Sequence, residues 1–171
     1  MGTSKPFGKE ILVIGVLQGN GTENHQAISV LVEKYGPVET ITQSEEFTWT
    51  DYYRKEMGPA IYRYYLEFHD FVDPSLLAEV KQATNDLEAR FSKDGKRSIN
   101  LDPGLLAPGR FVLATTKDRA HRIALRQGIF AELTLIYEKG EFHALPWTYP
   151  DWASERVRTM LANWRTRLFR N

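Results

Sequence analysis

Three groups in the second half of the chain have the chemistry of an acid-base site: His121, Glu132 and Asp118. An imidazole beside a carboxylate can work as a general base with its orienting group, or supply part of a metal site, because its charge changes near neutral pH. Lys117 and Arg122 lie between and beside them and can hold an anionic group of a ligand. Asn100 and Asp102, on alternate positions of Asn100-Leu101-Asp102-Pro103-Gly104, add two short polar side chains. Asp51 and Tyr52 suit a pocket rim, and Trp147 opens an aromatic run through Trp152 that fits either a packed lid or a stacking surface. Each residue also has a plainer use. Pro-Gly makes a turn in which Asn and Asp bond the backbone, Thr50 to Glu56 can cap a helical turn, and His121 and Glu132 can merely bond across a half-exposed sheet.

Hairpin counting brings the histidine and the glutamate together. With Gln127-Gly128 as a two-residue turn, Arg126 faces Ile129, which puts Ile123 opposite Glu132 and His121 on the same face as Glu132. With Lys139-Gly140 as the next turn, His143 falls opposite Ile136 on that face, while Ala131, Leu133, Leu135 and Tyr137 take the other. A slip of one residue removes the constellation.

The elements that must position these groups follow from periodicity. Glu10 to Leu17 reads as a buried strand, and Thr22 as the cap of a helix with Ile28, Leu31, Val32 and Tyr35 on one face. Gly36-Pro37 stops that helix, and Val38 to Phe47 reads as a half-exposed strand. Ala60 to Phe68 alternates, with Tyr62, Tyr64, Leu66 and Phe68 on one face and Arg63 and Glu67 on the other. Asp73-Pro74 starts a helix striped by Leu76, Leu77, Val80, Leu87 and Phe91. Strands over 110–116, 120–126 and 129–137 follow, with 141–145 as a fourth, and Ser154 caps a last helix with Val157, Leu161, Trp164 and Leu168 inward. The fold class expected is α+β: an antiparallel sheet with a split βαβ (ferredoxin-like) core, extended by a C-terminal β-meander and a terminal helix. Residues 1–8 read as a flexible tail and 9–171 as a single domain.

Composition excludes several classes. The 171 residues hold 22 Lys and Arg against 22 Asp and Glu, so no global field draws the chain to nucleic acid or an anionic membrane. The absence of cysteine removes disulfides, thiolate metal sites and a cysteine nucleophile, and suits the cytoplasm. The run from Ile11 to Leu17 is too short to span a bilayer, residues 1–8 read as a loose tail rather than a signal peptide, and on that expectation the Asn20-Gly21-Thr22 sequon carries little weight. Gly15, Gly19 and Gly21 after a strand fail both the Walker and the dinucleotide patterns. Thr116-Lys117-Asp118 has its Asp one residue too early for guanine recognition. Arg156, Arg158, Arg165, Arg167 and Arg170 on the last helix suit a nucleic-acid footprint or a solvated face that complements the helix dipole.

Four blocks occur in one order: Asp51-Tyr52-Tyr53-x-x-Glu56-Met57-Gly58, Asn100-Leu101-Asp102-Pro103-Gly104, Ala114-Thr115-Thr116-Lys117-Asp118-x-x-His121-Arg122-Ile123 and Leu145-Pro146-Trp147-Thr148-Tyr149-Pro150-Asp151. Together they resemble a prokaryotic family known as domain of unknown function 4416, over nearly the whole chain. The resemblance implies a single-domain bacterial or archaeal protein and no particular activity, cofactor or metal. The residues themselves favour a site for a small anionic ligand, catalytic or not. The rival is an RNA- or protein-binding module that uses the terminal arginines and the aromatic run, and a homo-oligomer with the open sheet face buried is a third option.

Overall fold

The computed structural model of the chain describes residues 2–19 and 25–170. Residues 2–9 are exposed and carry no regular structure, and the Thr22 cap and the sequon lie outside the described residues. The elements are β1 (Glu10–Gly19), α1 (His25–Tyr35), β2 (Val38–Ile41), β3 (Glu45–Glu46), α2 (Arg54–Met57), β4 (Ile61–Val72), α3 (Leu77–Arg90), β5 (Ile99–Ala107), β6 (Arg110–Thr115), β7 (Arg122–Ala124), β8 (Phe130–Glu138), β9 (Glu141–Ala144), α4 (Pro150–Ala153) and α5 (Glu155–Arg165). One sheet runs β2-β4-β1-β5-β6-β8-β7, with β3 also on β4 and β9 also on β8, and every pairing is antiparallel. The molecule is therefore α+β.

Alternation along the central strand β1 sends apolar side chains to both faces. Leu12, Ile14 and Val16 pack under α1 and α3, with Ala27, Leu31, Leu77, Val80 and Leu87. Ile11 and Val13 pack on the opposite face with Trp152 of α4 and Val157, Leu161 and Trp164 of α5. Ser154 caps α5 by accepting from the Val157 N–H. The face carrying Arg63 and Glu67 is thus covered, and both side chains are buried. Arg167, in the short 3-10 turn after α5, ties the helix end to that face by donating to Glu67 Oε1 at 2.8 Å.

Several expectations need correcting. The strand expected over Val38 to Phe47 is two short strands, β2 and β3. Asn100 to Gly104 is no turn but the interior of β5, and it is β5 that follows α3 and lies beside β1, where the sequence pattern had suggested 110–116. Gln127-Gly128 does form a turn, with both residues at positive φ, and Ile129 N–H donates to the Arg126 carbonyl. Leu125 N–H also donates to the Ile129 carbonyl, so two residues oppose one and the register slips. Arg122, not Ile123, therefore faces Glu132. A second bulge at Thr134 reverses the alternation of β8: Ala131 packs on the α3 side, Leu135 and Tyr137 on the α5 side.

Gly104 has a packing role inside β5. A Cβ on Gly104 would lie 2.6 Å from Phe111 Cζ and 2.8 Å from the Val112 carbonyl oxygen. Phe111 is fully buried and the second contact is backbone, so neither yields easily. Gly104→Ala is expected to destabilise the protein by about 1–3 kcal/mol through overpacking, read as a lower urea midpoint with an unchanged slope.

Candidate functional site

The sheet opens at one end. β5 and β6 pair from Gly104 to Ala107 and diverge beyond it, at the point where Pro103 has no N–H to offer. Leu101, two residues away on the same edge, would be left with an unpaired backbone. Two side chains of α3 replace the missing strand: Glu88 Oε1 accepts from Leu101 N–H at 2.7 Å, and Lys81 Nζ donates to the Leu101 carbonyl at 2.8 Å. Both side chains are buried, as the rule for unpaired backbone groups demands. A cavity of about 480 Å3 fills the opening, roofed by α4 and walled by the segment before α2.

Arg63 forms the floor. Its Nη1 donates to Asp102 at 2.9 Å and its Nη2 lies 2.9 Å from Asp151, and its side chain is only 6% exposed. The guanidinium also sits 5.2 Å from the centroid of Trp152. Gly15 makes this possible, because a Cβ there would meet Trp152 at 2.8 Å and Arg63 at 2.9 Å. The two aspartates respond differently to the same arginine. Burial alone would raise Asp102, yet Arg63, Lys81 and the Asn100 amide outweigh it and hold its carboxyl below the usual range. Burial dominates for Asp151, and with Arg63 opposed by the nearby Asp102 charge its carboxyl is pushed up. Beside them, Arg97 donates to Glu56, Glu88 and the side-chain amide oxygen Oδ1 of Asn100. Burial also raises Glu88, against the pull of Lys81.

The opposite wall is Glu132, its side chain 2% exposed. Its Oε2 accepts from Arg122 Nε at 2.6 Å and lies 3.0 Å from His121 Nε2. His121 sits in the turn just before β7, outside the ladder, so its side chain reaches Glu132 despite the slipped register. Trp147 stacks on His121, with ring centroids 4.7 Å apart, and donates to the Leu133 carbonyl. Glu132 Oε1 has no hydrogen-bond partner among the described residues.

Of the residues singled out in the sequence, Tyr52, Asn100, Asp102, Lys117, Arg122 and Glu132 line this cavity. His121 and Trp147 stand behind it as supports for Glu132. Arg122 is a strut, since its other nitrogens reach the Lys117 carbonyl and the Tyr149 hydroxyl. Asp51 turns away and pairs with Arg54 in solvent. Asp118 is exposed and outside the lining. His143 does not join the group: it faces Ile136 and lies 3.0 Å from the Glu138 carbonyl. Sequence reasoning missed Arg63, Lys81, Glu88, Arg97 and Asp151 as site residues. Lys81, Thr84 and Glu88 did leave a signal, polar positions on the same buried stripe as Leu77 and Val80.

Among the described residues no cluster of three or more His, Asp or Glu is arranged to hold a metal ion. Nor is any helix there long and apolar enough to cross a membrane. Fold and site define an α+β domain with a charged, aromatic-rimmed cavity set in an opening of its antiparallel sheet. Residues 9–168 match the family described as a domain of unknown function, DUF4416, and the chain belongs to that family. No curated protein and no solved structure matches it.

Proposed function

We propose that the protein binds a small polar molecule in the cavity between β5 and β6. One observation carries the reading: Glu132 lines the cavity, and its Oε1 is a buried acceptor with no hydrogen-bond partner among the described residues. Such a group is destabilising by about 1–3 kcal/mol unless something satisfies it, and a ligand donor in the cavity would do so. Phe47, Trp49, Tyr52, Tyr53 and Tyr149 provide the apolar rim that small-molecule sites use. Lys117 at the rim lies 5.2 Å from the Tyr52 ring centroid and forms no ion pair among the described residues, so it is available to an anionic group. The strand order β2-β4-β1-β5, with α1 and α3 packed on one face, supports a split βαβ plan for the core that carries this site.

The rival interaction module is less well supported. Arg156 pairs with Glu45, Arg158 donates to the Phe142 carbonyl, Arg165 to the Pro108 carbonyl and Arg167 to Glu67. These arginines fasten α5 to the sheet rather than forming a free basic face.

The test is a thermal-shift screen against carboxylates, amines, sugar phosphates and nucleotides, run on wild type and on Thr116→Trp. Thr116 is exposed at the cavity edge, so the indole obstructs entry without touching the floor. A ligand that raises the melting temperature of wild type only supports the reading, since binding to the native state stabilises by mass action. No hit, or equal shifts in both proteins, would refute it.

A further inference from the structure

Charge balance around the cavity narrows the ligand class. Arg63 stands between two carboxylates, Asp102 and Asp151, so with all three ionised that trio is negative by one. Arg122 and Glu132 neutralise each other, and Lys81 and Arg97 offset Glu88 and Glu56. Around this part of the cavity five carboxyl groups therefore stand against four Lys and Arg side chains, with His121 beside Glu132. The open hydrogen-bond site there has the same sign: Glu132 Oε1 is an acceptor, buried and without a partner among the described residues. Oε2 of the same side chain already takes the Arg122 donor, which leaves Oε1 as the oxygen without a donor. At the mouth the sign reverses, with Lys117 against the Tyr52 ring and in no ion pair among the described residues.

We propose that the ligand is a small molecule with a protonated amine at one end, seated against Glu132 Oε1, and an anionic group at the other, met by Lys117. This rests on the small-molecule reading above. An ammonium supplies both what the carboxylate lacks, an N–H donor, and the positive charge that this part of the cavity is short of. A hydroxyl supplies only the first. An anion placed deep would stand against Asp102 and Asp151. Arg63 Nε is also unpartnered among the described residues, and it asks for an acceptor. Because its guanidinium is already outnumbered by carboxylates, a neutral oxygen satisfies it. Burial chiefly, and the Asp102 charge after it, raise the Asp151 carboxyl, and a cation in the cavity offsets the second of these.

Calorimetric titration tests this with 4-aminobutanoate and 6-aminohexanoate, the alkylamines that lack the acid, the fatty acids that lack the amine, and the N-trimethylated amino acids. The amino acids are expected to bind at least ten-fold more tightly than the acids. Trimethylation removes every N–H while keeping the charge, and is expected to weaken binding ten-fold or more in wild-type protein, with no variant required. Glu132→Gln, checked for folding by circular dichroism, should lose affinity for amines. Lys117→Ala should lose affinity only for compounds with the acid. Acids that bind as well as amino acids, or trimethylated compounds that bind as well as primary amines, would overturn the amine assignment. If ligands of another class bind wild type and fail in Thr116→Trp, the cavity stands and the amine inference falls. If nothing binds either protein, both fall.

Discussion

Arg63→Met is expected to destabilise the protein by about 3–5 kcal/mol, the effect of removing one partner from a buried charge group. Methionine fills much of the arginine volume, so the loss is electrostatic and not a cavity effect. It leaves Asp102 and Asp151 facing each other beneath Trp152 without the cation that both contact at 2.9 Å. The sign of the pH dependence makes the result specific. In wild type the Asp102 carboxyl is lowered, so its contribution is present above its unfolded pKa and is lost as pH falls through the folded one. Without Arg63 only Lys81 and the Asn100 amide oppose the burial of Asp102, and Asp151 loses the cation that opposes its own burial, so both carboxyls are expected to titrate higher than in wild type. The variant then gains stability relative to wild type as pH falls, because its native state takes up protons that the wild-type native state does not hold. Urea melts at pH 7.5 and 5 read this directly. A deficit that stays constant or grows at the lower pH would mean that the arginine acts through packing instead.

The same charge group shows what a sequence reveals and what it withholds. Arg63 and Glu67 alternate with Tyr64, Leu66 and Phe68, and such alternation normally marks a strand with one solvated face. Only the path of α4 and α5 across the sheet buries the charged face, and nothing local to β4 encodes that path. Asp151 and Trp152 reach the floor for the same reason, 88 and 89 positions after Arg63 in the chain. By contrast β1, α3 and α5 were legible, because a periodic apolar stripe and a capping Ser or Asp are local signals. The turns at Gln127-Gly128 and Lys139-Gly140 were legible too, and all four residues adopt positive φ. Register was not, since one bulge at Leu125 and another at Thr134 shift side chains between faces without a composition cue. His121 and Glu132 came together because the histidine lies just outside the ladder, so the bulge moves its neighbour and spares the contact. Pro103-Gly104 misled because the pair is a turn signal in most contexts. Here the proline marks the end of one ladder and the glycine admits a phenylalanine ring.

The opening between β5 and β6 depends on α3, and Glu88→Leu is expected to test that dependence at about 3 kcal/mol or more. Leucine keeps the bulk and the helix propensity, but strips Leu101 N–H of its acceptor and leaves Lys81 and Arg97 short of a counter-charge. Glu88→Gln retains a carbonyl oxygen for Leu101 and should lose markedly less. Lys81→Met removes the other half of the clamp, the donor to the Leu101 carbonyl. Because both side chains serve one peptide edge, the double variant should fall short of the sum of the single losses. Hydrogen exchange supplies a local readout that global stability cannot: the Leu101 amide should lose protection in Glu88→Leu beyond what the change in unfolding free energy explains, and keep it in Glu88→Gln. Equal protection in all three proteins would show that the strand edge needs no surrogate. Selective loss would show that α3 side chains stand in for a strand so that the sheet can stay open, and that the cavity exists because one proline ended a ladder that two long side chains then completed.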